Sequence, residues 1–278
     1  MPVKSFSSLS RHCVLVSLTF ISGAHAGIVL NLGKVVIDLG PDGHAKREIE
    51  VANPDNRTAD VTIFAADWKQ DENGAVEAID PSTNKTPDSA TGWIGVNPQR
   101  FLLKKGEKKI VTVSLATPKE PMGLKEYRSM VFAETTDERP AETTAPGREM
   151  RIRTISRIGT KIFVNNPATA VKLDCAVTKV AEETRDGKRG LEIQTANSGN
   201  VHIQSDNSKV VFRDQAGKSV ASLPLPSFSV LPGQKRTVFF DLPEQGKSKL
   251  EKGKKYNALA VLDYGGSDLV AGELEFTY

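Results

Sequence analysis

The sequence predicts an all-β protein built from two β-sandwiches in tandem, and three observations carry that prediction. Short segments that alternate apolar and polar residues recur between Gly, Pro, Asn and Asp, the pattern of half-buried antiparallel strands. No long stretch shows the periodicity of an amphipathic helix. The two halves also echo each other: residues 49–53 (IEVAN) recur as 193–197 (IQTAN), and residues 106–115 (GEKKIVTVSL) as 233–242 (GQKRTVFFDL).

Residues 1–26 read as an export signal rather than as part of the fold. Lys4 and Arg11 give the positive start, residues 13–22 (CVLVSLTFIS) the apolar run, and Ala24-His25-Ala26 the small-residue cleavage site before Gly27. That run is too short for a bilayer, and no other segment approaches the roughly 18 apolar residues a spanning helix needs. The expected product is exported, periplasmic if the cell has two membranes, and not membrane-inserted.

Alternating segments then follow in order: 47–53 (REIEVAN), 60–68 (DVTIFAADW), 108–115 (KKIVTVSL), 127–134 (YRSMVFAE) and 256–264 (YNALAVLDY). Between Trp68 and Val76, KQDENGA is a hairpin turn, because Asn-Gly tolerates positive φ. Residues 78–91 and 135–147 are rich in Pro, Ser, Thr, Asn and acids, so both are expected to be mobile loops without stable strand. Tyr127 and Tyr256 each head a strand at similar distances after the repeated glycines Gly106 and Gly233. Such a tyrosine, with its ring buried and its hydroxyl bonded to backbone, marks the corner of an immunoglobulin-like sandwich. Asn and Pro interrupt the pattern at 165–170, so the expected units are 27–166 and 167–278.

Charge and motif content exclude several classes. The chain has 37 Lys and Arg against 34 Asp and Glu; loss of Lys4 and Arg11 with the signal leaves it nearly neutral, which argues against a nucleic-acid partner. Cys13 leaves too, so Cys175 has no partner for an internal disulfide and reads as a buried strand residue. His44 and His202 have no Cys or His at zinc-site spacings, and the acids of 71–77 lack the alternation of a calcium loop. Neither a GxSxG elbow, a phosphate loop nor HExxH is present. The expectation is a non-enzyme without cofactor or metal.

Residues 149–164 (EMRIRTISRIGTKIFV) form the most unusual stretch. Its even positions, Met150, Ile152, Thr154, Ser156, Ile158, Thr160, Ile162 and Val164, are all uncharged, while Arg151, Arg153, Arg157 and Lys161 fall on odd ones. Strand geometry places these as an apolar-to-small ribbon on one face and a basic ribbon on the other. Basic residues on an open edge also guard against unwanted pairing, so self-association through that edge stays open.

Taken together, LNLGKVVIDLG (30–40), IEVANPDNRTADVTIFAADW (49–68), VNPQRFLLKKGEKKIVTVSL (96–115) and YRSMVFAE resemble the periplasmic pilus chaperones of the chaperone–usher pathway. The resemblance implies two immunoglobulin-like domains set as a boomerang. It also implies pilus or fimbrial subunits and an outer-membrane usher as partners. The chaperone lends the last strand of its first domain to a subunit that lacks one, which is β-augmentation. On this reading Met150, Ile152, Thr154, Ser156 and Ile158 form the donor strand. Lys34 and Lys161 hold the subunit's terminal carboxylate between the domains.

Two departures stand out against the family. Lys34 occupies a place where the family usually has arginine, keeping the charge but losing the two-pronged donor that matches a carboxylate. Thr154 and Ser156 stand where the family has bulky aliphatics, each forgoing roughly 1.5–3 kcal/mol of burial. A one-residue bulge would bring Ile155 onto the donor face instead. The other reading is a non-catalytic exported adhesin or scaffold of two sandwich domains.

Overall fold

The computed structural model describes residues 27–40, 42–80, 86–118, 123–140 and 151–278; the signal segment, Met150, and 81–85 and 141–147 of the two expected loops lie outside them. The first half contains β1 (Val29–Leu30), β2 (Lys34–Asp38), β3 (His44–Ala52), β4 (Ala59–Ala66), β5 (Trp68–Gln70), β6 (Val76–Ala78), β7 (Ile94–Asn97), β8 (Arg100–Leu103), β9 (Lys108–Ala116), β10 (Glu126–Pro140) and β11 (Arg151–Asn165). One sheet runs β1-β3-β9-β7 and the facing one β2-β11-β10-β4-β8, with β5 and β6 paired apart as a hairpin. The leading segment thus changes sheets, β1 pairing antiparallel with β3 and β2 parallel with β11. This is the two-sheet, immunoglobulin-like arrangement.

The second half holds β12 (Cys175–Arg185), β13 (Lys188–Asn197), β14 (Ile203–Ser205), β15 (Lys209–Arg213), β16 (Ser219–Pro224), β17 (Phe228–Val230), β18 (Lys235–Asp241), β19 (Lys255–Leu262) and β20 (Val270–Thr277). Sheets β12-β13-β18 and β16-β15-β19-β20 enclose its core, with β14 and β17 forming a short pair. The cores are separate: Ile37, Ile49, Leu103, Leu115 and Ile162 belong to the first, and Leu191, Ile193, Phe212, Ala260 and Phe276 to the second.

The sequence repeat is a repeat of hydrogen bonds. Asn53 is buried, its amide donating to the carbonyls of Arg57 and Leu103 while its oxygen accepts from Asp55 N–H. Asn197 does the same with Val201, Val230 and Gly199. Each asparagine carbonyl accepts from the repeated glycine, Gly106 or Gly233, at φ of 69° and 70°. These two turns therefore need glycine. Tyr127 and Tyr256 are buried, and their hydroxyls accept from the N–H groups of Leu124 and Glu251 at 3.1 and 3.0 Å. Both corners are as the spacing predicts.

Two loop expectations are corrected. Residues 135–140 are strand, not loop: β10 continues to Pro140 in unbroken register with β11, from Glu126↔Asn165 to Pro140↔Arg151. Composition misleads here because pairing with β11, rather than intrinsic propensity, holds the segment extended. In the other expected loop the described stretch 86–91 is tied down. Asp88 O accepts from Arg128 N–H, Arg128 O accepts from Ala90 N–H, and the Arg128 and Asp88 side chains pair at 2.9 Å. Buried Asp67 accepts from Thr86 N–H and Ser89 Oγ. The KQDENGA hairpin forms as expected, with Gly74 at φ 84°.

Cys175 is buried, as its strand context implies, and burial pushes its thiol up to about 11, with Asp174 adding to the effect. Only the thiolate is nucleophilic, so at about pH 8 the folded protein is expected to resist iodoacetamide and to alkylate promptly once unfolded in urea. Mass spectrometry of the two samples checks this.

Candidate functional site

The edge of β11 is where the first sandwich stays open. β2 covers β11 only from Lys161 to Asn165, extended by Lys161 N–H to Gly33 O and Thr160 Oγ1 to Leu32 O. Among the described residues nothing pairs with that edge from 151 to 159. On its inner flank, β10 pairs with β4 only to Thr135, so residues 136–140 and 151–155 project as a two-stranded ribbon.

The two faces of β11 separate as the alternation predicts. Thr160, Ile162 and Val164 are buried toward the first core, against which Ile158 also packs, half-buried. Phe163, Lys161 and Arg157 point the other way, Phe163 against Trp68 and Arg157 over the rings of Phe64 and Phe132. Of the remaining predicted donor residues, Ile152 is 56% exposed, Thr154 is exposed and Ser156 half-buried. The ladder has no bulge, so Ile155, 53% exposed, stays on the basic face.

That basic face leads into a cleft of about 330 Å³ between the sandwiches, lined by Gly33, Lys34, Gln70, Lys161 and Phe163 from the first and Gln204, Ser227, Phe228, Ser229 and Arg236 from the second. The parallel register sets Lys34 opposite Lys161. The Lys161 ammonium stands 4.8 Å from the Trp68 ring centroid. Burial depresses its pKa, and the charges of Arg236 and Lys34 depress it further. Lys34 Nζ donates to Gln204 Oε1 at 3.4 Å, a contact across the cleft. Among the described residues none of the three cations has a carboxylate within ion-pair distance. Three cations around one cavity, without a carboxylate among them, make a place for an anion.

No protein-family model and no curated protein matches the sequence. Solved structures are similar in fold. The chaperone–tip adhesion subunit complex of CsuC and CsuE, from archaic chaperone-usher Csu pili of Acinetobacter baumannii, aligns at 13% identity over 88% of this chain and 97% of that one, TM-score 0.44. The Pseudomonas aeruginosa CupB2 chaperone aligns at 12% identity over 90% and 100%, TM-score 0.41, and the E. coli chaperone DraB at 16% over 89% and 96%, TM-score 0.40. The chain is similar to fimbrial chaperones.

The walls of the cleft are braced by a junction that sequence reading did not reveal. Glu126, heading β10, accepts from His202 N–H at 2.9 Å and meets His202 Nδ1 at 2.6 Å, with the side chains 4% and 10% exposed. The His202 ring stacks on Phe163 at 3.9 Å. Leu231 joins Trp68, Met130, Phe132 and Phe163 in a third apolar cluster, which is why β10 is buried on both faces from Glu126 to Ala133. The β5–β6 hairpin reaches the other sandwich, Glu72 O accepting from Thr237 N–H at 2.6 Å and Arg236 Nη1 at 3.2 Å. Glu126→Ala leaves the two His202 nitrogens without this partner. It is expected to cost roughly 2 kcal/mol or more. Thermal unfolding measures that loss, and small-angle scattering the looser junction.

Proposed function

We propose that the protein is a non-catalytic periplasmic chaperone that caps a fimbrial-type subunit by strand donation and passes it to an outer-membrane usher. One observation carries the reading: the unpaired edge of β11 runs directly into a cation-lined cleft. An incomplete sandwich laid along that edge satisfies its own open backbone groups, with Ile152, Thr154 and Ser156 of the ribbon facing its groove and Met150 and Ile158 at the ends. Its chain end reaches Lys34 and Lys161, which take the terminal carboxylate. Arg153 and Arg157 protect the free edge meanwhile, each held beside an acid of β10, Glu138 and Glu134. On this reading 27–166 is the capping domain and 167–278 the second wall of the cleft.

Small Thr154 and Ser156 favour a subunit with shallow pockets; they also favour the second reading, a non-catalytic adhesin or scaffold. Co-expression with an incomplete-sandwich fimbrial-type subunit separates the two. The chaperone reading expects the subunit to stay soluble and co-purify only when this protein is present. Equal solubility with and without it rejects that reading. Ile152→Asp, at an exposed position, is expected to abolish co-purification while leaving the melting temperature within a degree or two.

A further inference from the structure

Lys34 and Lys161 are both point charges, and neither presents the flat two-pronged donor that fits a carboxylate. The guanidinium in this cleft comes from the other sandwich. Arg236 stands in β18, and its side chain lines the cavity that Lys34 and Lys161 line. Two contacts seat it: Nη1 donates to Glu72 O at 3.2 Å, and the guanidinium lies against Gly74, where a Cβ would collide with its Cζ and both terminal nitrogens. The hairpin that carries Glu72 and Gly74 thus seats the charge, and its Asp71 eases that charge from beyond ion-pair distance. Arg236 Nε is buried without a hydrogen-bond partner among the described residues, and so is Gln70 Oε1 in the facing wall.

We propose that Arg236 is a third ligand of the anion held in this cleft, so that a carboxylate is gripped from both sandwiches at once. This rests on the carboxylate-anchoring reading above and adds to it a fork that the first sandwich lacks. A carboxylate oxygen gives the Nε–H the acceptor it lacks, and charge-assisted bonds of this kind are the strong ones. Because the ligands then span the junction, anion binding also fixes one sandwich against the other.

The test uses the mature full chain, ¹⁵N-labelled, and an N-acetylated pentapeptide ending in phenylalanine, chosen because Phe163 and Phe228 line the cleft. It is titrated with a free carboxylate and as its C-terminal amide. The free acid is expected to bind about tenfold better or more, and the Arg236 Nε–H resonance, identified by its loss in Arg236→Lys, to move downfield with the acid alone. Arg236→Gln is expected to shrink the preference to about threefold or less, and Arg236→Lys, the guard against a folding defect, to restore only part of it. If Arg236→Gln keeps the full preference while Lys161→Ala loses it, anchoring stands and Arg236 is only a strut for the hairpin, which overturns the inference. If the wild-type chain does not distinguish acid from amide, the carboxylate reading of the cleft fails and this inference falls with it.

Discussion

Trp68→Ala is expected to cost about 3–5 kcal/mol, the range for emptying a fully buried tryptophan site. Trp68 is 1% exposed, meets Phe163 edge-on at 6.1 Å, and donates from Nε1 to Ser129 O at 3.1 Å. It also begins the hairpin whose far end touches β18, and its ring lies beneath Lys161 and Arg128. Its loss is therefore expected to act twice, as a cavity in the junction cluster and as a release of the hairpin that seats Arg236. Urea unfolding measures the first effect. Hydrogen exchange at the Thr237 amide measures the second, since that N–H donates to Glu72 O. Trp68→Phe keeps most of the packing and drops the Ser129 bond, so it is expected to cost about 1 kcal/mol beyond the lost volume. A Trp68→Ala protein with unchanged urea midpoint would mean that the junction does not bear on stability.

What the sequence makes legible follows from what is periodic or repeated. Alternation assigns both faces of β11 correctly, because a strand's side-chain period has no alternative within an unbroken ladder. The repeat marks Asn53 with Asn197, Gly106 with Gly233 and Tyr127 with Tyr256, each pair performing one backbone task twice. Partners joined only by tertiary contact leave no such mark. Glu126 and His202 lie 76 residues apart, and neither neighbourhood distinguishes them from surface residues. Arg236 falls at the place of Lys109 in the repeat, where a cation on a strand reads as solvated. Only the docking of the hairpin on β18 turns it inward. The misreading of 135–140 has the same origin, since the segment owes its extension to a partner strand.

Lys161→Ala is expected to weaken subunit capture by about thirtyfold or more, roughly 2 kcal/mol, the lower end for truncating one member of a buried charge pair at an interface. Its effect on the free protein should run the other way. Burial and two neighbouring cations hold the ammonium's pKa below its ordinary value. A base whose folded pKa is depressed below its unfolded value disfavours folding in full below the folded pKa, and that penalty fades as pH rises from the folded pKa to the unfolded one. At neutral pH the lysine is therefore a burden on the unliganded fold, partly offset by the Trp68 ring below it. Lys161→Ala, or Lys161→Met with its closer volume, is expected to leave the melting temperature unchanged or slightly raised while capture is lost. On the proposed reading the incoming anion removes the repulsion that the fold alone leaves in place. Paired measurement of melting temperature and co-purified subunit decides between roles: a variant that melts much lower makes Lys161 a structural residue, and one that captures normally removes it from the site.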